Sequence, residues 1–108
     1  MSKYFKEIEE NMCTEFLSKL DQAREHAGIP FYITSAYRTP EHNAKIGGSP
    51  NSSHLKGLAV DISVINSRTR FKVLEALLHV GFSRIGIADN FIHVDDDYSK
   101  DVNVIWTY

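Results

Sequence analysis

Residues 58–64 read Leu-Ala-Val-Asp-Ile-Ser-Val, an apolar segment with one carboxylate at its centre. Its β-branched residues predict a strand, in which successive side chains point to opposite faces of a sheet. Asp61 then points away from the face that Val60 and Ile62 share. Because burying an unpaired carboxylate is costly, we expect charge compensation or hydrogen bonds at Asp61. The carboxylate at this position therefore indicates a functional site rather than a residue of the hydrophobic core.

The rest of the chain predicts an α+β fold, in which an N-terminal and a central helix pack against a mainly antiparallel sheet. Apolar residues recur every three or four positions over about residues 3–27, with Thr14 as a candidate break, and this spacing predicts the first helix. A helix that Ser67 caps is expected to end at Gly81 and to bury Phe71, Leu74, Leu77 and Leu78. The other predicted elements are a short helix that Thr39 caps and Pro40 begins, and strands at residues 31–35, 82–87, 91–95 and 102–106.

Length and charge restrict the classes to which the protein can belong. At 108 residues the chain fits one compact domain, residues 1–108, and its single cysteine allows no internal disulfide. A net charge of −2, without any block of Lys or Arg, argues against nucleic acid binding. No window approaches the ~20 apolar residues of a membrane span. The polar, acidic residues 1–10 do not resemble a secretory signal, which predicts synthesis in the cytoplasm.

Two histidines join Asp61 in a candidate metal site. His54 lies in the loop before the Asp61 strand, and His93 lies in the predicted strand Phe91-Ile92-His93-Val94-Asp95. If the two strands are neighbours, Asp61 and His93 converge on one point and His54 arrives from the loop. Two imidazoles and a carboxylate suit catalytic zinc with an open fourth position, and non-haem iron uses the same ligand types. The other three histidines have no comparable set of potential ligands around them and are expected at the surface: His26, His42 and His79.

Three segments, in this order, resemble motifs of the D-Ala-D-Ala carboxypeptidase family of zinc peptidases, which includes murein endopeptidases and many phage-encoded lysins. They are Ser35-Ala36-Tyr37-Arg38, the pattern Ser52-x-His54-x-x-Gly57-x-Ala59-x-Asp61, and Phe91-Ile92-His93-Val94-Asp95. The resemblance covers nearly the whole chain, to about Asp95, and is to the short, phage-type members. It implies a Zn²⁺-dependent peptidase that cuts peptidoglycan stem peptides or cross-links at a D-amino-acid bond, as a carboxypeptidase or an endopeptidase. We expect a monomer that acts on the cell wall after release from the cell or as part of a virion.

The resemblance also implies roles for individual residues. Arg38 would contact a carbonyl or carboxylate of the substrate, and its guanidinium has the two-pronged geometry that suits a carboxylate or a developing oxyanion. The alternative for Arg38 is an ion pair with Glu41 or another surface acid. Ser52 would either hydrogen-bond the substrate or shape its loop. The implied zinc ligands are His54, Asp61 and His93.

The chain departs from the family pattern at the general base. Many members place an acid three positions before the last zinc histidine, where this chain has Asn90. An amide takes no proton from zinc-activated water at neutral pH, so another acid would have to do so while the water attacks the peptide carbonyl. We favour Asp95, which shares a strand face with His93, over Asp89. The alternative role for Asp95 is to orient a ligand histidine.

Two other functions fit the same residues. A metal-stabilised module of this fold could bind the cell wall without hydrolysing it, and the amide at Asn90 keeps that hypothesis open. A non-haem iron oxygenase could use the same ligand types, but such sites normally lie in a jelly-roll barrel with many more strands than this sequence predicts.

Overall fold

The computed structural model describes residues 1–108, which form three α-helices, two short 3-10 helices and one five-stranded sheet. The α-helices are α1 (Thr14–Ala27), α2 (Pro40–Lys45) and α3 (Ser67–His79), and the 3-10 helices span Lys6–Ile8 and Ser53–Lys56. The strands are β1 (Ile33–Ser35), β2 (Ala59–Ser63), β3 (Arg84–Ile87), β4 (Phe91–Asp95) and β5 (Val104–Thr107). No helix combines the length and apolar character that a membrane crossing requires.

The sheet has the strand order β1-β2-β4-β3-β5. All neighbouring strands are antiparallel except β3 and β5, which run parallel. The predicted α+β fold with a mainly antiparallel sheet and packed N-terminal and central helices is thus confirmed. The parallel edge strand arises because the chain crosses from the end of β4 back to the start of β3 before it enters β5. The predicted strand positions hold, although most strands begin or end one or two residues away from the predicted bounds.

The two faces of the sheet have different chemistry. Val60 and Ile62 on β2, with Ile92 and Val94 on β4, belong to the buried apolar core, which α1 and α3 cover through residues that include Phe16, Leu20, Val73 and Leu77. Because strand side chains alternate, Asp61 and His93 point to the opposite face. Helices α1 and α3 therefore occupy one face of the sheet, and the candidate site occupies the other.

The first helix is shorter than predicted, and the expected helix over residues 3–27 is wrong in its first half. Asn11 adopts a left-handed conformation with φ 64°, which interrupts any helix, and α1 begins only at Thr14. The residues before it fold back along α1, where the Asp21 carboxylate accepts hydrogen bonds from the Ser2 hydroxyl and from the backbone N–H groups of Lys3 and Tyr4. Phe5 and Met12 of this segment are still buried and Ile8 packs against the core, so the spacing of these residues resembled that of a helix.

The buried face of α3 also differs from the prediction. Phe71 and Leu78 are 68% and 48% exposed, whereas Val73 and Ala76 are fully buried beside Leu77. The helix is capped by Asn66 rather than by Ser67, because the Asn66 side chain accepts a hydrogen bond from the Thr69 N–H at 2.8 Å. The face of α3 that packs on α1 and β4 therefore carries smaller side chains than the predicted face.

Candidate metal centre

Asp61 and His93 lie directly opposite each other on the paired strands β2 and β4. His54 comes from the 3-10 helix Ser53–Lys56, which precedes β2. Gly57 makes the turn between them with φ 69°, and a Cβ atom there would lie 2.0 Å from the Asn11 carbonyl oxygen. Only glycine fits this turn, and the turn brings the His54 ring back over the sheet.

The three predicted metal-binding side chains meet around one point. His54 Nε2 lies 3.2 Å from Asp61 Oδ1, and His93 Nδ1 lies 3.0 Å from the same oxygen. All three residues are buried, and one potential ligand atom from each lies within 4.8 Å of the others. The structure therefore brings together the two imidazoles and the carboxylate that the sequence singled out.

Each ring has an inner nitrogen, which faces Asp61, and an outer nitrogen, which faces away from it. The partners of the outer nitrogens determine the tautomer of each neutral ring. His54 Nδ1 lies 2.7 Å from the Ala36 carbonyl oxygen, and His93 Nε2 lies 2.7 Å from Asp95 Oδ2. Carbonyl and carboxylate oxygens only accept hydrogen bonds, so these outer nitrogens donate. In the neutral rings, the inner nitrogens then present lone pairs toward the Asp61 oxygen, which is also an acceptor. Such a convergence needs a cation, either extra protons or a metal ion, and the donor set fits zinc.

The pKa shifts of this cluster have the same origin. Burial alone would raise the pKa of the Asp61 carboxyl, but His54 and His93, which donate to this carboxylate when their inner nitrogens carry an extra proton, outweigh burial and hold this pKa well below its usual range. Burial alone would lower the pKa of His93, but its contacts with the Asp61 and Asp95 carboxylates raise it on balance. Both shifts show that the surroundings favour positive charge between the rings and Asp61.

Asp95 lies behind His93, with both carboxylate oxygens already bound. Oδ2 accepts from His93 Nε2, while Oδ1 accepts from Arg84 Nε at 2.7 Å and from the Asp97 backbone N–H at 3.1 Å. The side chain is 1% exposed. Although burial would raise its pKa, these hydrogen bonds lower it on balance. This is the arrangement in which a carboxylate orients a ligand histidine and sets which ring nitrogen is free.

The structure does not bring Asp89 to the site. Asp89 is exposed in the turn between β3 and β4, and its backbone carbonyl accepts a hydrogen bond from Arg70. Asn90 lies in the same turn, where its carbonyl accepts from the Val64 N–H. Neither residue lines the cleft over the three convergent side chains.

Arg38 and Ser52 both lie at the cleft. The Arg38 guanidinium approaches Asp61 Oδ2 to 3.7 Å and is held by hydrogen bonds to the Ser35 hydroxyl and the Asn43 side-chain oxygen. The alternative ion pair with Glu41 is not formed. The Ser52 hydroxyl accepts from the His54 backbone N–H at 3.3 Å, so it shapes the turn that carries this histidine.

The cleft over the site has a volume of about 320 Å³ and includes residues that the sequence did not indicate. The Trp106 indole packs on the His93 ring, with centroids 5.5 Å apart, and beneath the Arg84 guanidinium. Trp106 comes from β5, whose parallel pairing with β3 no local pattern revealed. The cleft residues to which the sequence analysis gave no role are Ser49, Ser53, Arg84, Phe91, Lys100, Trp106 and Tyr108.

The sequence profile of the family described as Peptidase M15 matches residues 2–95. The matched segment includes Arg38, His54, Asp61 and His93 and ends at Asp95, before Trp106. No curated protein matches the chain.

Proposed function

The chain belongs to the peptidase M15 family, and on that basis we propose that it is a zinc peptidase that hydrolyses peptidoglycan stem peptides or cross-links at a D-amino-acid bond. The observation that carries this proposal is the convergence of one ring nitrogen each from His54 and His93 with one carboxylate oxygen of Asp61 on a single point. The protein would reach the cell wall after release from the cell or as part of a virion.

Three side chains would hold the ion: His54 through Nε2, His93 through Nδ1, and Asp61 through its carboxylate. Imidazole ligands favour zinc over calcium or magnesium, which prefer sites built from oxygen. Zinc bound there would act as a Lewis acid, which polarises a peptide carbonyl and makes coordinated water acidic enough to deprotonate near neutral pH. Because the ligands come from two paired strands and a turn fixed by Gly57, their positions are set by the fold itself.

Arg38 is the residue best placed to act on the substrate. It lines the cleft beside Asp61, and the Ser35 and Asn43 contacts fix the direction of its guanidinium. A cation in this position would stabilise the oxyanion that forms when the carbonyl is attacked, or anchor a terminal carboxylate. Ser52 would act mainly by shaping the His54 turn.

The contacts of Asp95 support a positioning role more strongly than the general-base role that we favoured from the sequence. A base needs a free oxygen near the reacting water, and both Asp95 oxygens are engaged behind the His93 ring. The one carboxylate oxygen of the cleft that faces no donor within hydrogen-bond distance is Oδ2 of Asp61.

This shortage of free acids favours a second candidate function, a catalytically inactive module of the same fold that binds the cell wall and is stabilised by the metal. The two candidates differ in whether the bound peptidoglycan is cut. Both require the metal centre, so its presence alone does not separate them.

Mass spectrometry of muropeptides released from purified sacculi distinguishes the two functions. The zinc-loaded protein is expected to release stem-peptide fragments, and a chelator or Asp61→Ala should abolish their release. Glu41→Gln, which changes an exposed acid outside the cleft, serves as the control and should leave release unchanged. Sedimentation of the protein with sacculi without any fragment release would support the binding module instead.

A further inference from the structure

A second cluster of two histidines and one carboxylate lies on the helical layer of the protein. His26 is in the last turn of α1, and Glu75 and His79 are four residues apart on α3, so they share one side of that helix. His26 Nε2 lies 2.9 Å from Glu75 Oε1 and 3.1 Å from Oε2. The rings of His26 and His79 stack, with centroids 3.8 Å apart and planes within 9°. One ligand atom from each residue lies within 4.8 Å of the others.

The distances between these potential ligand atoms approach those of a metal site. Zinc bonds of ~2.0–2.1 Å to nitrogen and oxygen place tetrahedral ligand atoms roughly 3.3 Å apart. All three side chains are exposed, so small rotations about their side-chain bonds would draw the ligand atoms together. Two imidazoles favour a transition metal over calcium or magnesium, and the open side toward solvent leaves a position for water.

The electrostatic surroundings favour a cation at the same point. His26 and His79 both lie in the last turn of a helix, where the helix dipole is negative. The groove beside them carries the carboxylates of Asp21 and Glu25, and its one lysine, Lys3, is paired with Glu25 at 2.7 Å.

We propose that His26, Glu75 and His79 form a second site for Zn²⁺ or a similar transition-metal ion, which ties the end of α1 to the end of α3. This site is separate from the cleft, because α1 and α3 cover the opposite face of the sheet from Asp61. The inference does not rest on the proposed peptidase activity.

Zinc titration of the full chain, followed by competition with a chromophoric chelator, tests the proposal by stoichiometry. The unaltered protein should bind two equivalents, and His79→Ala should bind one. Glu75→Gln should weaken the second equivalent at least 10-fold, because a neutral amide is a poorer ligand than a carboxylate. His42→Ala, which removes an exposed histidine outside both clusters, should still bind two.

Thermal unfolding supplies an independent readout. The second equivalent should raise the melting temperature of the unaltered protein and of His42→Ala, but not that of His79→Ala. The second site would be overturned if His79→Ala still bound two equivalents of zinc. It would also be overturned if the unaltered protein and His79→Ala each bound only one. If the unaltered protein binds one equivalent and His79→Ala binds none, the zinc ion that is missing is the one at Asp61. That result would count against the peptidase proposal and leave the second site standing.

Discussion

His93 Nε2 lies 2.7 Å from Asp95 Oδ2, on the side of the ring opposite to Asp61. This contact turns Nδ1 toward the point where the candidate ligands meet. A histidine on a strand can present either nitrogen, and the carboxylate behind the ring selects which one.

Asp95→Asn is expected to weaken zinc binding 10- to 100-fold, because the amide orients the His93 ring less strongly. At saturating zinc the variant should recover much of its turnover. Zinc titration combined with turnover measured across zinc concentrations checks both points. Asp89→Asn, an exposed acid outside the cleft, is the control and should match the unaltered protein. Normal zinc affinity with turnover lost at every zinc concentration would instead assign Asp95 as the general base.

Arg38→Lys is expected to lower kcat/KM by roughly 100-fold, because an ammonium keeps the charge but loses the planar pair of donors. Its zinc content should stay unchanged, since Arg38 is not a candidate ligand. Steady-state kinetics and metal analysis on the same preparation measure the two effects. Arg68→Lys, on the exposed part of α3, is the matched control. A near-normal kcat/KM for Arg38→Lys would mean that Arg38 does not contact the substrate.

Asp97 anchors the turn after β4 to the 3-10 helix that carries His54. Its carboxylate accepts from the hydroxyls of Ser53 at 2.8 Å and Ser99 at 2.6 Å, and from Lys56 Nζ at 3.1 Å. Although burial would raise its pKa, these hydrogen bonds hold it below the usual range for Asp. Asp97→Asn is therefore expected to lower the free energy of unfolding by about 1–3 kcal/mol at pH 7.

The pH dependence of this effect follows from the sign of the shift. A lowered pKa stabilises the fold above the unfolded value of ~3.9, and this contribution is lost as the pH falls through the folded pKa. The difference in the free energy of unfolding between Asp97→Asn and the unaltered protein should therefore be smaller at pH 3 than at pH 6, by about 1 kcal/mol. Urea unfolding at the two pH values measures it, and a difference that does not change with pH would contradict the assignment.

Gly86 leaves room for the Trp106 indole over the site. A Cβ atom at this position would lie 2.5 Å from Trp106 Nε1, so Gly86→Ala is expected to displace the ring and to cost about 1–3 kcal/mol of stability. Trp106 is the single tryptophan, so its fluorescence reports the displacement directly. In a Trp106→Leu background the cost of Gly86→Ala should largely disappear. An equal cost in both backgrounds would mean that the clash lies elsewhere.

The strand pattern was sufficient to predict where Asp61 and His93 point, because alternation places them opposite the apolar core residues on both strands. Alternation also placed Asp95 on the face of His93. It did not reveal that the His93 ring lies between Asp95 and the candidate metal position, because the ring orientation depends on Asp95, which is itself held by Arg84 from another strand.

Features that depend on distant parts of the chain were not predictable. The left-handed Asn11 breaks the first helix without changing the apolar spacing, and only the hydrogen bonds to Asp21 explain the return of the N-terminal segment. Trp106 joins the cleft through the parallel pairing of β5 with β3. The proximity of His26 to His79 likewise comes from the packing of α1 on α3, which left both predicted surface histidines exposed but side by side.

Anomalous diffraction at the zinc absorption edge, from crystals of the zinc-loaded protein, tests the central claim most directly. The peak in the cleft should lie ~2.0–2.2 Å from His54 Nε2, His93 Nδ1 and an oxygen of Asp61. A cleft without an anomalous peak under zinc-saturating conditions, or a peak bound through other atoms, would contradict the account.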